Sequence, residues 1–282
     1  MDFNSLKTFA LVAETLNFTS AAEQRHTVQS AVSAQIKKLE AAVGKQLISR
    51  GRGQTMSLTA EGEAFAVYAR RLLALSDEAI ETVRTSNARQ ILRLGTTVTL
   101  AMSVVSDVLS TFAAQHGNVQ LQIQCDRSDA LLRRLYDGEI DIAFMMDQGR
   151  HPGRAFVHSQ PLVWVCTESF SLPNAANIPL AFLTDGRDLR AYALRALDGA
   201  GMSGHVSHLS PHPIGVRALV QSGLALTVMP KATVVAPLTT APAELNLPRL
   251  SPIALAGYRS QSNESPESKG LLSLLEAAIA AS

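Results

Sequence analysis

The stretch Phe18 to Glu40 reads FTSAAEQRHTVQSAVSAQIKKLE. Its spacing predicts two helices joined by a tight turn near His26. Thr19 or Ser20 serves as the cap of the first, and Ser20-Ala21-Ala22-Glu23 fits a capping box. The second starts near Thr27 and runs to about Val43, where Gly44 supplies a stop. At about 100° per residue, Val32, Ile36, Leu39 and Val43 gather on one side of this helix. Ser30, Ala34, Lys37, Lys38 and Ala41 lie opposite, with Gln29 and Ser33 flanking the two faces. The outer face therefore holds small side chains and two cations, without the acidic residues that a merely solvated face mixes in. Small residues let a helix approach a major groove closely. Gln29 suits adenine N6 and N7, and Ser30 or Ser33 a base edge or phosphate. Lys37, Lys38, Arg50 and Arg52 suit phosphates.

Working outward, Leu6, Phe9, Ala10, Ala13 and Leu16 fall at helical spacing and predict a preceding helix. Downstream, two short segments, 46–49 and 54–58, flank Gly51-Arg52-Gly53 and read as a β-hairpin. Residues 60–87 hold no Pro and a lone Gly, Gly62. Phe65, Tyr68, Ala69, Leu72, Leu73, Ala79, Ile80 and Val83 mark one helix of about 40 Å. Such an apolar stripe needs a partner, either a domain core or a second copy. Its place between two differently built regions favours a dimerisation helix.

From Ile91 strands and helices alternate. Strands are predicted at 92–97, 119–124, 140–145, 162–166, 180–183, 225–229 and 253–258. Helices are predicted at 100–116, 128–137, 188–198, 214–222 and 269–281, and no repeat of fixed period is evident. Repeated βα units imply an α/β domain with open sheets, whose ligands bind at the carboxyl ends of strands.

Composition sets the outer bounds. The chain has 282 residues, 46% hydrophobic and 17% charged, with net charge +1. Residues 1–59 carry a balance of +3, so a polyanion partner is expected for that end alone. Cys125 and Cys166 exclude a disulfide framework and a thiolate zinc cluster, and their apolar neighbours predict buried, inert thiols in a reducing cytoplasm. No leader or run of about eighteen apolar residues is read, so no membrane segment is expected. Gly199-x-Gly201-x-x-Gly204 matches the dinucleotide fingerprint as a string, but it follows a helix and lacks the acidic ribose partner, so it reads as a loop. His205, His208 and His212 do not make a metal site: 205–209 alternates like a strand, which separates the first two, and His212 sits in a proline-flanked turn. Glu139 and Asp141 read as orienting a strand edge, and Trp164 as packing. No catalytic residues, cofactor or metal ligands are assigned.

The sequence resembles the LysR-type transcriptional regulators along its whole length. The resemblance rests on Leu6-x-x-Phe9, Phe18-Thr19-x-Ala21-Ala22, Gln29-Ser30-Ala31-Val32-Ser33-x-Gln35-Ile36-x-x-Leu39-Glu40, Gly44-x-x-Leu47 and Leu58-Thr59-x-x-Gly62. Leu94-Gly95-Thr96 and Gly138-Glu139-Ile140-Asp141-Ile142-Ala143 follow in order. Arg25, Ala34, Ile48 and Ser49 depart from the pattern, and Ala34 suits a thymine methyl where arginine is frequent. The resemblance implies a mixed fold: a winged helix-turn-helix DNA-binding domain (1–59, helix-turn-helix 18–37), a linker helix pairing two subunits (60–90) and a two-lobed α/β effector domain of the periplasmic-binding-protein type (91–282). Lobe I is expected at 91–160 and 250–282, and lobe II at 161–249. Implied partners are double-stranded promoter DNA, a small-molecule effector, a second copy or a dimer of dimers, and RNA polymerase, in the cytoplasm on the nucleoid.

Strand ends and helix starts then nominate the effector positions Thr96, Thr97, Ser128, Met145, Met146, Ser210, Pro211 and Ile214. Hydroxyls and helix amino ends suit an anion, so a small carboxylate is the expected class. The alternatives are a small-molecule binding protein with a helical appendage, and an architectural DNA binder whose second domain is ligand-silent.

Overall fold

Three helices open the chain: α1 (Phe3–Thr15), α2 (Phe18–Gln24) and α3 (Gln29–Val43). The computed structural model describes residues 2–49, 56–84, 90–172, 177–185, 187–260 and 263–281. Asp2 caps α1, its Oδ1 accepting from Ser5 N at 2.8 Å. The cap of α2 is Asn17, which accepts from Thr19 N and Ser20 N. This corrects the expected Thr19 or Ser20 cap and its capping box. An Asx side chain one residue outside the helix reaches those N–H groups, and Thr19 and Ser20 themselves lie in the first turn. Gly44 ends α3 in the left-handed region at φ 74°, where a Cβ is disfavoured.

The wing strands are β1 (Ile48–Ser49) and β2 (Ser57–Leu58), antiparallel with Ile48 opposite Leu58. Their connecting turn, including Gly51-Arg52-Gly53, lies outside the described residues. α4 (Ala60–Arg84) follows. Leu6, Phe9, Val12, Ala21, Ala22, Val32, Ile36, Leu39, Leu47, Ile48, Ala66 and Ala69 form one buried core. The start of α4 is thus part of the head, and its later turns leave Tyr68, Leu72, Leu75 and Ile80 exposed. The core reading of this helix therefore holds for its first turns, and the exposed stripe is the face that a second copy would need.

The chain divides into two units, Met1–Gln90 with Arg133–Ile140, and Ile91–Leu132 with Asp141–Ser282. From Gln90 onward the elements in order are β3 (Gln90–Thr96), α5 (Val98–Leu100), a π turn Ala101–Val105, α6 (Ser106–Gln115), β4 (Val119–Cys125), α7 (Ser128–Asp137), β5 (Ile142–Met146) and β6 (Arg154–Gln160). Then come β7 (Leu162–Thr167), β8 (Ile178–Leu183), α8 (Arg187–Gly199), β9 (Gly204–Ser210), α9 (Pro213–Gln221), β10 (Thr227–Pro230), β11 (Leu238–Thr240), β12 (Ile253–Arg259) and α10 (Pro266–Ala280). The single helix expected over 100–116 is broken. Ser103 has φ −131° and ψ −105°, and its hydroxyl donates to Thr99 O at 2.9 Å. The stretch Val98–Gln115 has a mean hydropathy of 1.3, enough by composition to cross a membrane. Its Leu100, Val104, Val105, Val108 and Phe112 are instead buried in a core with Leu92, Leu94, Phe144 and Leu275.

The first sheet has the order β4-β3-β5-β12-β6, with β3 parallel to β5 and β12 antiparallel to both β5 and β6. A second set is β10-β7-β11, all antiparallel, and a third is β8 parallel to β9. A bridge from Leu180 to Leu226 joins the last two, with Ala181 N donating to Leu226 O at 2.8 Å and Leu226 N to Pro179 O at 2.9 Å. Joined in this way, they repeat the topology of the first sheet. The second strand lies outside the first, the third lies inside, and an antiparallel visitor follows. The visitors β12 and β7 each come from the far side of a crossover between the two sheets. No sequence repeat betrays this, because a topology constrains hydrophobic pattern and not residue identity.

Two strands were not foreseen. β6 puts a polar residue at one of its two buried positions, Gln160, whose Nε2 donates to Ile279 O at 2.6 Å. β11 is too short for periodicity to register. Cys166 is buried as expected, and burial pushes its thiol up, but Cys125 is exposed at the end of an edge strand. The glycine string 199–204 is a helix-to-strand turn, as read. β9 does form over the histidines, but its register shifts, so His205 pairs with Pro179 and His208 with Ala181. The parity argument against a metal site therefore fails. His205 Nδ1 instead lies 3.0 Å from Asn177 Oδ1, and no cluster of three metal-ligating side chains occurs among the described residues.

Candidate functional site

The motifs of the head have physical jobs. Glu40, at the carboxyl end of α3, accepts from Leu47 N and Ile48 N at 2.9 and 3.1 Å, and so ties the wing to the helix. Thr59 donates to Gln46 O at 2.7 Å and accepts from Gly62 N at 2.9 Å. A Cβ on Gly62 would collide with the Leu47 carbonyl. Arg25, where an apolar residue is usual, donates to Asn4 Oδ1 and links α2 to α1.

These contacts hold α3 with Val32, Ile36 and Leu39 inward and one long face outward. Gln29, Ser30, Ala34, Lys37 and Lys38 are exposed on that face, and Ser33 is half-buried beside it. Lys38 Nζ lies 3.1 Å from Asp2 Oδ2. The Asp2 carboxyl is lowered from the usual 3.8 to about 2, first by the Ser5 backbone N–H, then by the Ser5 hydroxyl and Lys38. That pair is open to water, so Lys38 can leave it for a phosphate at little cost. Arg50 and Arg52 lie outside the described residues.

In the α/β unit, the carboxyl ends of the first and third strands of each sheet mark the crevice where such folds take ligands. Thr96 is buried and its hydroxyl donates to Phe144 O at 2.8 Å, so it fastens β3 to β5. Met145 is fully buried, whereas Met146 is half-buried at the strand end. Thr97 caps α5, accepting from Leu100 N at 3.4 Å, and Ser128 opens α7 half-buried. Ser210 closes a turn with His212, donating to His212 O at 2.9 Å and accepting from His212 N at 3.1 Å. Pro211 is exposed, and Ile214 is 54% exposed. The Ile214 N–H, a donor that an anion would use, is taken by His212 Nδ1 at 3.3 Å, and Pro213 has none. Thr96, Met145 and Ser210 are thus committed to the fold, and Thr97, Ser128, Met146, Pro211 and Ile214 stand at strand ends and helix starts.

Sequence reasoning missed two charged residues at the mouth of this crevice. Arg127 follows β4 in the first sheet, and Asp185 follows β8 in the second. Arg127 Nη1 lies 3.7 Å from Asp185 Oδ2, and its Nε lies 3.3 Å from Asp129. Neither residue sits in a motif, and only the tertiary fold brings them together. It also missed the cluster after β5. Tyr258 donates to Asp147, and Arg154 Nη1 lies 3.2 Å from both Asp147 oxygens. Gln148 N donates to the Tyr258 oxygen at 3.1 Å. Burial, then the hydrogen bond to Asp147, pushes the Tyr258 hydroxyl up to about 12. Burial works against the Asp147 charge, but the bonds from Tyr258 and Arg154 outweigh it and hold the carboxyl below its usual range.

Comparison with known proteins places this geometry. The family model described as "Bacterial regulatory helix-turn-helix protein, lysR family" matches residues 3–63, and "LysR substrate binding domain" matches residues 86–280. The HTH-type transcriptional regulator DgdR of Burkholderia cepacia is 30% identical over 259 residues, covering 91% of this chain and 86% of that one. PecT of Dickeya dadantii (strain 3937), also an HTH-type transcriptional regulator, is 28% identical over 228 residues, covering 81% and 72%. Among solved structures, ArgP from Mycobacterium tuberculosis superposes with a TM-score of 0.65 at 21% identity, covering 99% of this chain and 97% of that one. Full-length CbnR complexed with its target DNA superposes with a TM-score of 0.61 at 20% identity, covering 99% and 100%. At these identities the two structures establish a shared fold.

Proposed function

The chain belongs to the LysR family of bacterial transcriptional regulators, and from that premise we propose how its parts divide the work. It is a DNA-binding regulator of transcription that responds to a small-molecule effector. Residues 1–59 are the DNA-binding head, 60–90 the linker that pairs two copies, and 91–282 the effector domain, with lobes at 91–160 plus 250–282 and at 161–249. The observation that carries the DNA assignment is the outer face of α3, where Gln29, Ser30, Ala34, Lys37 and Lys38 stand exposed with no acid among them. Gln29, Ser30, Ser33 and Ala34 read bases, and Lys37, Lys38, Arg50 and Arg52 hold phosphates.

The effector sits at the strand ends of the two lobes, against Thr97, Ser128, Met146, Pro211 and Ile214. Its binding favours one arrangement of the lobes and thereby of the paired heads on DNA, which is linkage between two sites. The self-capped start of α9 favours a ligand held by shape and apolar contact there over one held by a carboxylate. The protein binds its ligand without turning it over, and it acts in the cytoplasm, on the nucleoid.

The test is selection of genomic fragments by the purified full chain at moderate and raised salt. A few fragments that survive raised salt and share a roughly palindromic site are the expected result. Lys37→Ala should weaken binding to all of them and reduce the salt slope by about 1, whereas Gln29→Ala should change which sites are preferred. Retention of all fragments alike, lost on adding salt, would reduce the head to non-specific charge attraction.

A further inference from the structure

The helix that carries the outward face starts without a side-chain cap. Asp2 caps α1 and Asn17 caps α2, but the residue at the start of α3 is Val28, which makes no capping bond. Its carbonyl accepts from Ala31 N and Val32 N at 3.0 and 3.3 Å. A Ser, Thr, Asp or Asn at this position would add a hydrogen bond to the helix start, so valine costs the free protein stability. It recovers little by packing. Val28 is 64% exposed, and no large apolar side chain among the described residues is more exposed.

Both facts are explained by one partner. The amino-terminal residues of a recognition helix meet base edges in the major groove. The apolar feature of that groove is the 5-methyl group of thymine. Gln29 and Ser30, beside Val28, are exposed on the same helix end, so a base contact by either brings the valine methyls against the neighbouring step.

We infer that Val28 is a specificity-determining residue, whose isopropyl group contacts a thymine methyl beside the base read by Gln29. The inference rests on the reading of α3 as the DNA-reading helix. Each half-site then carries a thymine at one fixed position.

The experiment uses the full chain and a random-sequence duplex pool. The best-selected duplex is resynthesised with deoxyuridine replacing each thymine in turn, which removes only the methyl group. One replacement per half-site should weaken wild-type binding about fourfold, the worth of one buried methyl-sized group. Val28→Ser removes both methyls and supplies a cap. It should raise Tm and bind the thymine and uridine duplexes equally. Val28→Thr, with a cap and one methyl, should raise Tm and keep part of the preference. A Val28→Ser protein that still distinguishes thymine from uridine as the wild type does would overturn the inference, as would a wild type indifferent to every replacement. Failure of the wild type to select any sequence would instead bring down the DNA reading itself, and this inference with it.

Discussion

Tyr258 shows how one buried hydroxyl organises the loop at the end of a strand. It is fully buried on β12, donates to Asp147, accepts from Gln148 N and so fixes the loop that leaves β5. Tyr258→Phe would leave the Asp147 carboxylate and the Gln148 N–H short of a partner. The expected cost is about 1–3 kcal/mol, read by chemical denaturation at neutral pH. The pH dependence has a definite sign. A hydroxyl raised from 10.0 to about 12 in the folded state contributes stability that is complete below pH 10 and is lost as pH climbs towards 12. Asp147, held low, contributes above the usual carboxylate value and loses that contribution as the solution is acidified. The phenylalanine variant should therefore lack the wild type's alkaline loss between pH 10 and 12. An alkaline limb identical in the two proteins would assign that loss elsewhere.

At the scale of the element, α4 has two unlike apolar faces, one buried in the head and one exposed. Ala66 and Ala69 are buried in the head, and the ring of Phe65 meets Phe9 edge-on at 5.4 Å. Tyr68, Leu72, Leu75 and Ala79 follow one another at steps of four, three and four, the spacing of a coiled-coil seam. Tyr68 and Leu75 are 61% and 62% exposed, and Leu72 39%. Polar replacement of this stripe should spare the head and cost the assembly. The double variant Leu72→Gln, Leu75→Gln is expected to weaken self-association at least tenfold, about 1.4 kcal/mol, in sedimentation at micromolar protein. Its head core should still unfold at the wild-type denaturant midpoint. Unchanged association would move the pairing surface off this stripe.

At the scale of the molecule, the two sheets of the effector unit repeat one topology, and by the general rule for open α/β sheets their strand ends mark a crevice. Arg127 and Asp185 join their loops across its mouth. Both are well exposed, so the pair is a modest contributor in water and sensitive to salt. Asp185→Arg places like charges across the gap. Amide exchange in α5 and α9 should then rise severalfold over wild type at low salt, and the difference should shrink at high salt. An unaltered exchange pattern at low salt would leave the apposition of the sheets to the packing around α5 and α9 alone.

Much of this architecture was written in local pattern. The buried face of α3, the length of α4 and the βα alternation follow from spacing alone, because a helix or a strand must turn its apolar side chains to one side to bury them. Gly44, Thr59 and Gly62 were legible as a motif, and the structure supplied their reasons: a left-handed stop, a cap and a close backbone approach. Other features had no local signal. Asn17 took the cap from its neighbours by accepting from the N–H groups of Thr19 and Ser20 ahead of it. Ser103 broke a helix whose apolar spacing was continuous. The shift in β9 undid a parity argument about its histidines. Thr96, Met145 and Ser210 were nominated correctly as strand ends and turns, but whether such a side chain faces ligand or fold depends on what packs over it. Arg127 with Asp185, and Tyr258 with Asp147 and Arg154, are far apart in the chain. Periodicity reports which residues share a face of one element. Only the crossing of elements decides which faces meet, and so which charges pair and which stay open to a partner.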